Sequence, residues 1–593
     1  MQDKFHWCKI RRVTRKAGAM HVVTTRRQYK GKVYETHLLR RSYREDGKVK
    51  NETLANLSHL PPETIEVVKA SLAGKELVEA GSGFEVERSL PHGNVAAAWA
   101  MAQKLGMAKL LGPACPERDL ALALVVARAV RPGSKLATTR WWATSTTLGE
   151  DLGVAGASTD DVYGAMDWLF SRQAAIEAAL ARRHLCAGGM VFYDLSSSWV
   201  EGTHCPLASH GHSRDHRGDR AQVNYGLTCD RKGRPVAVEV FTGNTADPTA
   251  FVSAASAVKE RFRLKDVVMV GDRGMITQAR IEGLRKLGGI GWISSLRAPS
   301  IGALAEAGAL QMSLFDEADL AEIAHPSYPG ERLVACRNPA LAVERARKRE
   351  ELLVATEALL APVKAAVERE RRPLRGKENI ALRVGKVINK KKMGKHFELA
   401  ITDESFDFSR KEAQIQAEAA LDGIYVVRAS AAHTEGLPAG EVVTAYKDLK
   451  VNEAGFRSLK TVDLDIRPIY HWTEDRVRAH VLICMLALYL VWHLKDVWAP
   501  VCFADEAPPE RADPVTPARR SDEALAKVHS RRRADGEVVH SFQSLLDELA
   551  TLTRNTIVFA GGARITKLAL PTPLQRRAFD LIGVPIPREL KPM

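Results

Sequence analysis

The chain is poor in the features that most readily narrow a function. Its eight cysteines, Cys8, Cys115, Cys186, Cys205, Cys229, Cys336, Cys484 and Cys502, are dispersed and none forms a CxxC pair. That argues against a disulfide framework and fits reduced thiols in a cytoplasm. The N-terminus, Met1-Gln2-Asp3-Lys4, opens no apolar segment of the secretory kind. The most apolar run, Val481 to Val491, is too short to span a bilayer and is flanked by Arg476, Arg478 and His480. It reads as a buried helix, and no membrane is expected as a partner. There is no internal repeat with a period of roughly 20–50 residues. Neither GxGxxG nor GxxxxGKS/T occurs, so a nucleotide cofactor is not expected.

What the chain does have is positive charge. Lysine and arginine total 86 against 71 aspartates and glutamates, a net charge of +15. Such an excess favours a polyanionic partner, most commonly nucleic acid; a basic surface that serves only solubility is the plain alternative. With 593 residues, 45% hydrophobic and 26% charged, the chain reads as globular and too long for one core.

The pattern along the chain suggests six regions. Residues 1–90 are a basic α+β region, dense in Lys9, Arg11, Arg12, Arg15, Lys16, Arg26, Arg27, Lys30 and Lys32, with strand-like alternation over Val33–Leu38 and a helix over 61–79. This region is either a small DNA-binding module or a solvated cap. Residues 91–188 read as helical: Leu120–Val130 is apolar, and 161–180 keeps a 3.6-residue period behind a cap at Ser158-Thr159-Asp160-Asp161. Residues 189–300 run strand, strand, strand, helix, strand, helix, the order of a ribonuclease-H-like core. Residues 301–420 break the pattern with a long charged helix (341–371), the cluster Lys390-Lys391-Lys392 and a strand at 397–401. Residues 421–500 return to the core with a strand at 423–428, a helix over 441–461 and an apolar helix over 476–494. Residues 501–593 form a linker and C-terminal tail, with 505–535 read as flexible and 541–552 as helical. The expected fold class is α/β: a ribonuclease-H-like core with an inserted subdomain, flanked by basic and helical regions.

Two aspartates stand where metal chemistry wants them. Asp194 closes the apolar stretch Met190-Val191-Phe192-Tyr193, and Asp272 follows Val267-Val268-Met269-Val270 after one glycine. Carboxylates at the tips of neighbouring buried strands are rigidly held and can bind one or two Mg²⁺ ions through oxygen. A lone strand-end aspartate is more often a turn former or helix cap, so it is the pair that carries weight. A third acid is expected from a helix. Tyr446, Glu453 and Lys460 are spaced by seven and share one helical face, with Lys450, Phe456 and Arg457 close by. A single carboxylate amid cations suits a site that binds metal and phosphate together, although an exposed helix with ordinary charge pairs has the same look.

These residues resemble the DDE transposases of bacterial insertion sequences, within the insertion-sequence-four superfamily and its Tyr-x2-Arg-x3-Glu-x6-Lys motif. Tyr446, Glu453 and Lys460 match that motif at its spacing, while its arginine position holds Leu449. The stretches Tyr193 to Ser197, Gly211-His212-Ser213-Arg214-Asp215-His216-Arg217, Phe241 to Asp247 and Gly271 to Met275 match in the family's order, over about residues 185–495. The resemblance implies a transposase that cuts DNA and transfers the strand at the ends of its element. Asp194, Asp272 and Glu453 would hold two Mg²⁺ ions, with Mn²⁺ able to substitute. Tyr446, Lys450, Arg457, Lys460, Arg273, Arg214 and Arg217 would contact DNA. It further implies double-stranded DNA as partner, both terminal inverted repeats and target, self-association in a synaptic complex, and a nucleoid-associated place in the bacterial cytoplasm. The rivals are a nuclease on the same core and a catalytically inactive DNA-binding descendant, toward which only Leu449 leans.

Three features stay open. His204, Cys205, His210, His212 and His216 crowd one segment, readable as a zinc site, a basic loop near DNA with Arg214, Arg217 and Arg220, or a structural loop. Trp141 and Trp142 beside Arg140 are either core residues or base-stacking groups. Lys390, Lys391, Lys392 and Lys395 either grip flanking DNA or form a solvated charge run.

Overall fold

The computed structural model describes residues 18–75, 83–511, 513–559, 562–591 and 593. The basic residues Lys9 to Lys16 and the end of the helix expected to reach 79 lie outside the described residues. The chain divides into two units, residues 1–89 with 555–567, and residues 90–554 with 568–593.

In the smaller unit, β1 (Ala19–Tyr29), β2 (Lys32–Glu45) and β3 (Lys48–Asn56) form an antiparallel meander. Both hairpins turn on two left-handed residues, Lys30-Gly31 and Asp46-Gly47, the tight turn whose twist matches that of the strands. A helix, Pro62–Leu72, follows and gives way at Gly74. β4 (Phe84–Pro91) belongs to a second three-stranded sheet, completed by two strands from the C-terminal part of the chain.

The larger unit is a mixed α/β body. Its sheet contains β5 (Met190–Trp199), β6 (Gln222–Asp230), β7 (Pro235–Thr242), β8 (Val267–Val270), β9 (Ile290–Ser295), β10 (Leu320–Ile323), β11 (Glu331–Arg337) and, beyond a hairpin of β12 (Phe397–Ile401) and β13 (Phe406–Arg410), β14 (Ile424–Ser430). The order across it is β10-β11-β14-β9-β8-β5-β6-β7. β8 runs parallel to β5 and β9; the remaining neighbours are antiparallel. Helix Glu474–Val497 passes through the core against helices Pro116–Val130 and Thr159–Ser171 and against β7. It is long and apolar enough to cross a membrane, but 83% of its apolar window is buried in protein. Trp141 and Trp142 are buried in the same core, which leaves no exposed ring for bases to stack on.

Three stretches differ from expectation. The period over 161–180 belongs to two helices, Thr159–Ser171 and Gln173–His184, which meet at Arg172; the Ser158–Asp161 capping box at their start is present. The material between 301 and 420 does not stand wholly apart. β10 and β11 widen the main sheet, while helices Pro339–Glu368 and Lys377–Ile388 with β12 and β13 close a small core of their own around Leu360, Ile380 and Phe397. The stretch 505–535 contains a helix, Asp522–Ser530, capped by Ser521, which itself bonds Asp505. The Val515 carbonyl accepts from Asn338 Nδ2 at 3.2 Å and from Lys447. A polar composition suggested a loose linker because these ties run through backbone groups and caps. Farther on, helices Phe542–Ala550 and Pro573–Ile582 pack on helix Gly93–Lys104, and β15 (Thr553–Phe559) and β16 (Arg564–Leu568) complete the sheet with β4 in the order β16-β15-β4.

Candidate active site

Strand register sets the two aspartates side by side. β5 and β8 pair in parallel over three residues, ending with Phe192 opposite Val270. Asp194 and Asp272 each lie two residues farther along. Asp194 does not end its strand, however. β5 continues to Trp199 against β6, with Asp194 opposite Leu227; what stops at Phe192 is the pairing with β8. The small residues Ser196, Ser197 and Ser198 extend the strand without the apolar signature that marks its first half, and all three are buried.

Glu453 is brought to the same place by its helix. Helices Ala439–Asp448 and Lys450–Arg457 are joined at Leu449. Asn452 Nδ2 donates to the Leu227 carbonyl at 3.1 Å, so the residue before Glu453 is fastened to the residue opposite Asp194. Gly455 faces the Leu227 side chain, which an added Cβ would meet at an ordinary contact distance of 3.4 Å. The Phe456 ring stands edge-on to Tyr225, with centroids 5.9 Å apart. Between Tyr446 and Lys460 the expected single helix is jointed at Leu449 and takes a wider turn over Ser458–Val462. Leu449 itself is buried in the core, so the position that carries arginine in the motif serves packing here.

Asp194 senses the charges of both other carboxylates. Burial pushes the half-buried Asp194 carboxyl up to about 7; the charges of Asp272 and Glu453 add to the rise, while the Leu195 N–H and Arg214 oppose it. Asp272 and Glu453 themselves are exposed. Tyr446, half-buried, is hydrogen-bonded to Ser295 and Asp272, and burial with the Asp272 charge pushes its hydroxyl up to about 12. Among the described residues, no three His, Cys, Asp or Glu side chains close around a point where one ion would sit. One Asp194 oxygen accepts the Leu195 N–H at 2.7 Å, and Asp272 is engaged by Tyr446. The donor set still fits a magnesium-class ion, which takes one or two carboxylates and completes its shell with water and phosphate oxygens.

The expected DNA contacts separate into two groups. Lys450, Arg457 and Arg273 are exposed beside the carboxylates. Tyr446 and Lys460 are already engaged by protein. Lys460 Nζ donates to Asp215 Oδ1 at 2.9 Å, and Arg467 donates to the same oxygen. The Asp215 side chain is 1% exposed and its other oxygen has no hydrogen-bond partner. Arg217 pairs with Asp219 at 2.9 Å and lies over the Trp199 ring, which Arg467 also covers. The Arg214 N–H bonds Ser197 Oγ at 3.0 Å. Asp215, Asn452 and Arg467 had no role in the sequence reading. Asp215 was visible there only as one letter of the 211–217 stretch.

The resembling stretches are also knitted together. Gln222 Nε2 donates to the His212 and Gly243 carbonyls, and Asn224 Nδ2 to the Thr245 carbonyl. The backbones touch at the two glycines: an added Cβ would lie 2.2 Å from the Gly243 oxygen at Gly211, and 2.0 Å from the Gln222 oxygen at Gly243. The histidine-rich segment contains no gathered metal-ligand group among the described residues. Cys205 is buried and the His204 ring lies against Trp472. Lys390, Lys391 and Lys392 are exposed, and Lys395 pairs with Glu418.

Two family models match the chain. Residues 22–82 match the N-terminal domain of IS1634 family transposases, and residues 196–490 match the transposase DDE domain. The second match contains Asp272 and Glu453 and begins two residues after Asp194. No curated protein matches the chain. DDE domains generally depend on divalent metal ions, and transposases act on DNA. The chain therefore belongs to the DDE transposases of insertion sequences, enzymes that cleave DNA and transfer the cut strand.

Proposed function

We propose that Asp194, Asp272 and Glu453 are the catalytic carboxylates, set on a ribonuclease-H-like core. The strand order β7-β6-β5-β8-β9, with β5, β6 and β7 antiparallel and β8 and β9 parallel, supports that core; β10 and β11 are the sheet's share of the inserted material, and β14 is the strand on which the chain returns. The observation that carries the assignment is the register: two aspartates at equivalent positions past the last β5–β8 pair, and the glutamate helix bonded to the residue opposite one of them.

Bound there, Mg²⁺ ions, with Mn²⁺ able to substitute, would supply charge at phosphorus and a nucleophile of lowered pKa. The chain's own residues do the rest. Tyr446 holds Asp272, and Asn452 holds the Glu453 helix on the sheet. Lys450, Arg457 and Arg273 are exposed cations placed to receive DNA phosphates. Lys460, tied to Asp215, positions the 211–217 loop beside Asp194, and Arg214 and Arg217 belong to that loop. The substrate is double-stranded DNA carrying the element's terminal inverted repeats, joined to target DNA by self-associated copies in a synaptic complex at the nucleoid.

Incubating the protein with Mg²⁺ and DNA bearing the element's own ends, then sequencing the products, tests this. Joined ends that disappear in Asp194→Asn, Asp272→Asn and Glu453→Gln are expected. Cutting without joining would indicate a nuclease, and binding without either an inactive descendant.

A further inference from the structure

A second basic site lies in the larger unit, away from the three carboxylates. A cavity of about 260 Å³ is lined by Arg128, Lys135, Arg467, Tyr470, His471 and His480, with Asp465 the one carboxylate among its lining. Arg128, Lys135 and His480 are each about 5% exposed. Burying charge this deeply is costly unless it is paired, yet the pairing is sparse. Among the described residues, Arg128 donates only to the backbone carbonyls of Gly133, Leu464 and Asp465. His480 Nε2 donates to the Ile466 carbonyl at 3.0 Å, which leaves Nδ1 to accept from Lys135 Nζ at 3.2 Å. That is the only partner of the Lys135 ammonium among the described residues, so two of its three N–H groups remain for a ligand. Arg467 leaves the cavity toward Asp215 and so joins it to the 211–217 loop. At the rim, Tyr470 is 58% and, two residues on, Trp472 is 65% exposed.

We propose that this cavity binds a phosphate group, taken from a DNA strand whose bases stack on Tyr470 and Trp472. A phosphate offers acceptor oxygens to the free ammonium donors and supplies the anion that Arg128 and Lys135 lack. Burial and Arg128 push the Lys135 amine down to about 7, and burial with the neighbouring cations holds His480 well below the ordinary imidazole value. Both are the response of cations crowded without a counter-charge, and an anion would relieve both. Aromatic faces beside a basic groove are how single strands are commonly held.

The test uses the full chain with a labelled element end, whose affinity is measured across a salt series for wild type, Lys135→Met and Lys135→Arg. Losing one phosphate contact lowers the slope of log affinity against log salt by about 0.9 on double-stranded DNA and about 0.7 on a single strand. That drop is expected in Lys135→Met but not Lys135→Arg, together with about fivefold or greater weakening in Trp472→Ala. A second arm compares thermal melting of the protein alone in inorganic phosphate and in chloride at equal ionic strength. An unchanged salt slope with phosphate-specific stabilisation that Lys135→Met lacks would keep the phosphate site and make its source free phosphate. An unchanged slope with no phosphate stabilisation of the wild type overturns the proposal. The wild-type melt needs no variant, so a misfolded Lys135→Met does not shelter the idea. Loss of cleavage in Glu453→Gln reports on the carboxylates alone, so the two readings fail separately.

Discussion

Lys460 provides the sharpest test of how this site is built. As a phosphate contact its loss weakens DNA binding; as the tie to Asp215 its loss weakens the fold first. The Nζ–Oδ1 distance of 2.9 Å corresponds to roughly 6 kcal/mol of attraction at an effective dielectric of about 20. Desolvation offsets much of that, since the side chains of Lys460 and Asp215 are 10% and 1% exposed. In Asp215→Asn, Lys460 and Arg467 keep their charges and lose their anion, the case in which breaking a buried pair costs about 3–5 kcal/mol. In Lys460→Met, Asp215 keeps Arg467, so a smaller loss of about 1–3 kcal/mol is expected, the scale of a charged hydrogen bond. Losses in the double variant should fall short of the sum, because both changes remove the same contact. Urea midpoints of the full-length protein measure all three, and affinity for the element end is measured in parallel. Stability should fall in the order given, with DNA affinity of Lys460→Met within about threefold of wild type and cleavage reduced by a displaced 211–217 loop. A Lys460→Met protein as stable as wild type that binds DNA tenfold more weakly would refute the tie and restore Lys460 as a phosphate contact.

Glu453→Gln should abolish cleavage at every protein concentration while leaving DNA binding largely intact; normal cleavage would remove Glu453 from the site. Gly243→Ala, which forces a Cβ to within 2.0 Å of the Gln222 carbonyl oxygen, should lower the urea midpoint by about 1–3 kcal/mol equivalent, and an unchanged midpoint would show that the loop yields freely. With a net charge of +15, affinity for DNA should drop about a thousandfold or more between low and moderate salt if several phosphates are contacted; a flat profile speaks against a phosphate-dominated interface. Lys135 supplies a pH test. Below about 7 it is charged in both states and its burial penalty is fully present; between about 7 and its ordinary 10.5 only the unfolded chain holds the proton. Stability should therefore rise with pH across that window, and Lys135→Met should flatten the rise when urea midpoints are compared at its two ends.

The parts of the site legible in the sequence are those encoded by apolar strands and helical spacing. Val267 to Val270 and Met190 to Tyr193 announce buried strands, and the register then follows from the fold. The second half of β5 was not legible, because its Ser196, Ser197 and Ser198 carry no apolar bulk; Ser197 accepts the Arg214 N–H and Ser198 bonds the Tyr225 hydroxyl at 3.0 Å. Leu449 looked like a missing arginine, and only its burial shows that the position packs. Lys460 looked like a free cation because its anion lies 245 residues earlier in the chain. Such long-range pairing leaves no periodic trace, and neither does the tethering of 505–535 through its Val515 carbonyl to Asn338 and Lys447.

The separation of the acids along the chain also governs when the site comes into being. Asp194 on β5 and Asp272 just past β8 belong to strands that can pair as soon as both have left the ribosome, but Glu453 follows 181 residues after Asp272. At about 5–20 residues per second that interval lasts roughly 9–36 s. During it the nascent protein displays a basic surface and two of its three acids. On the proposed assignment, the site is complete only after the inserted segment has been made.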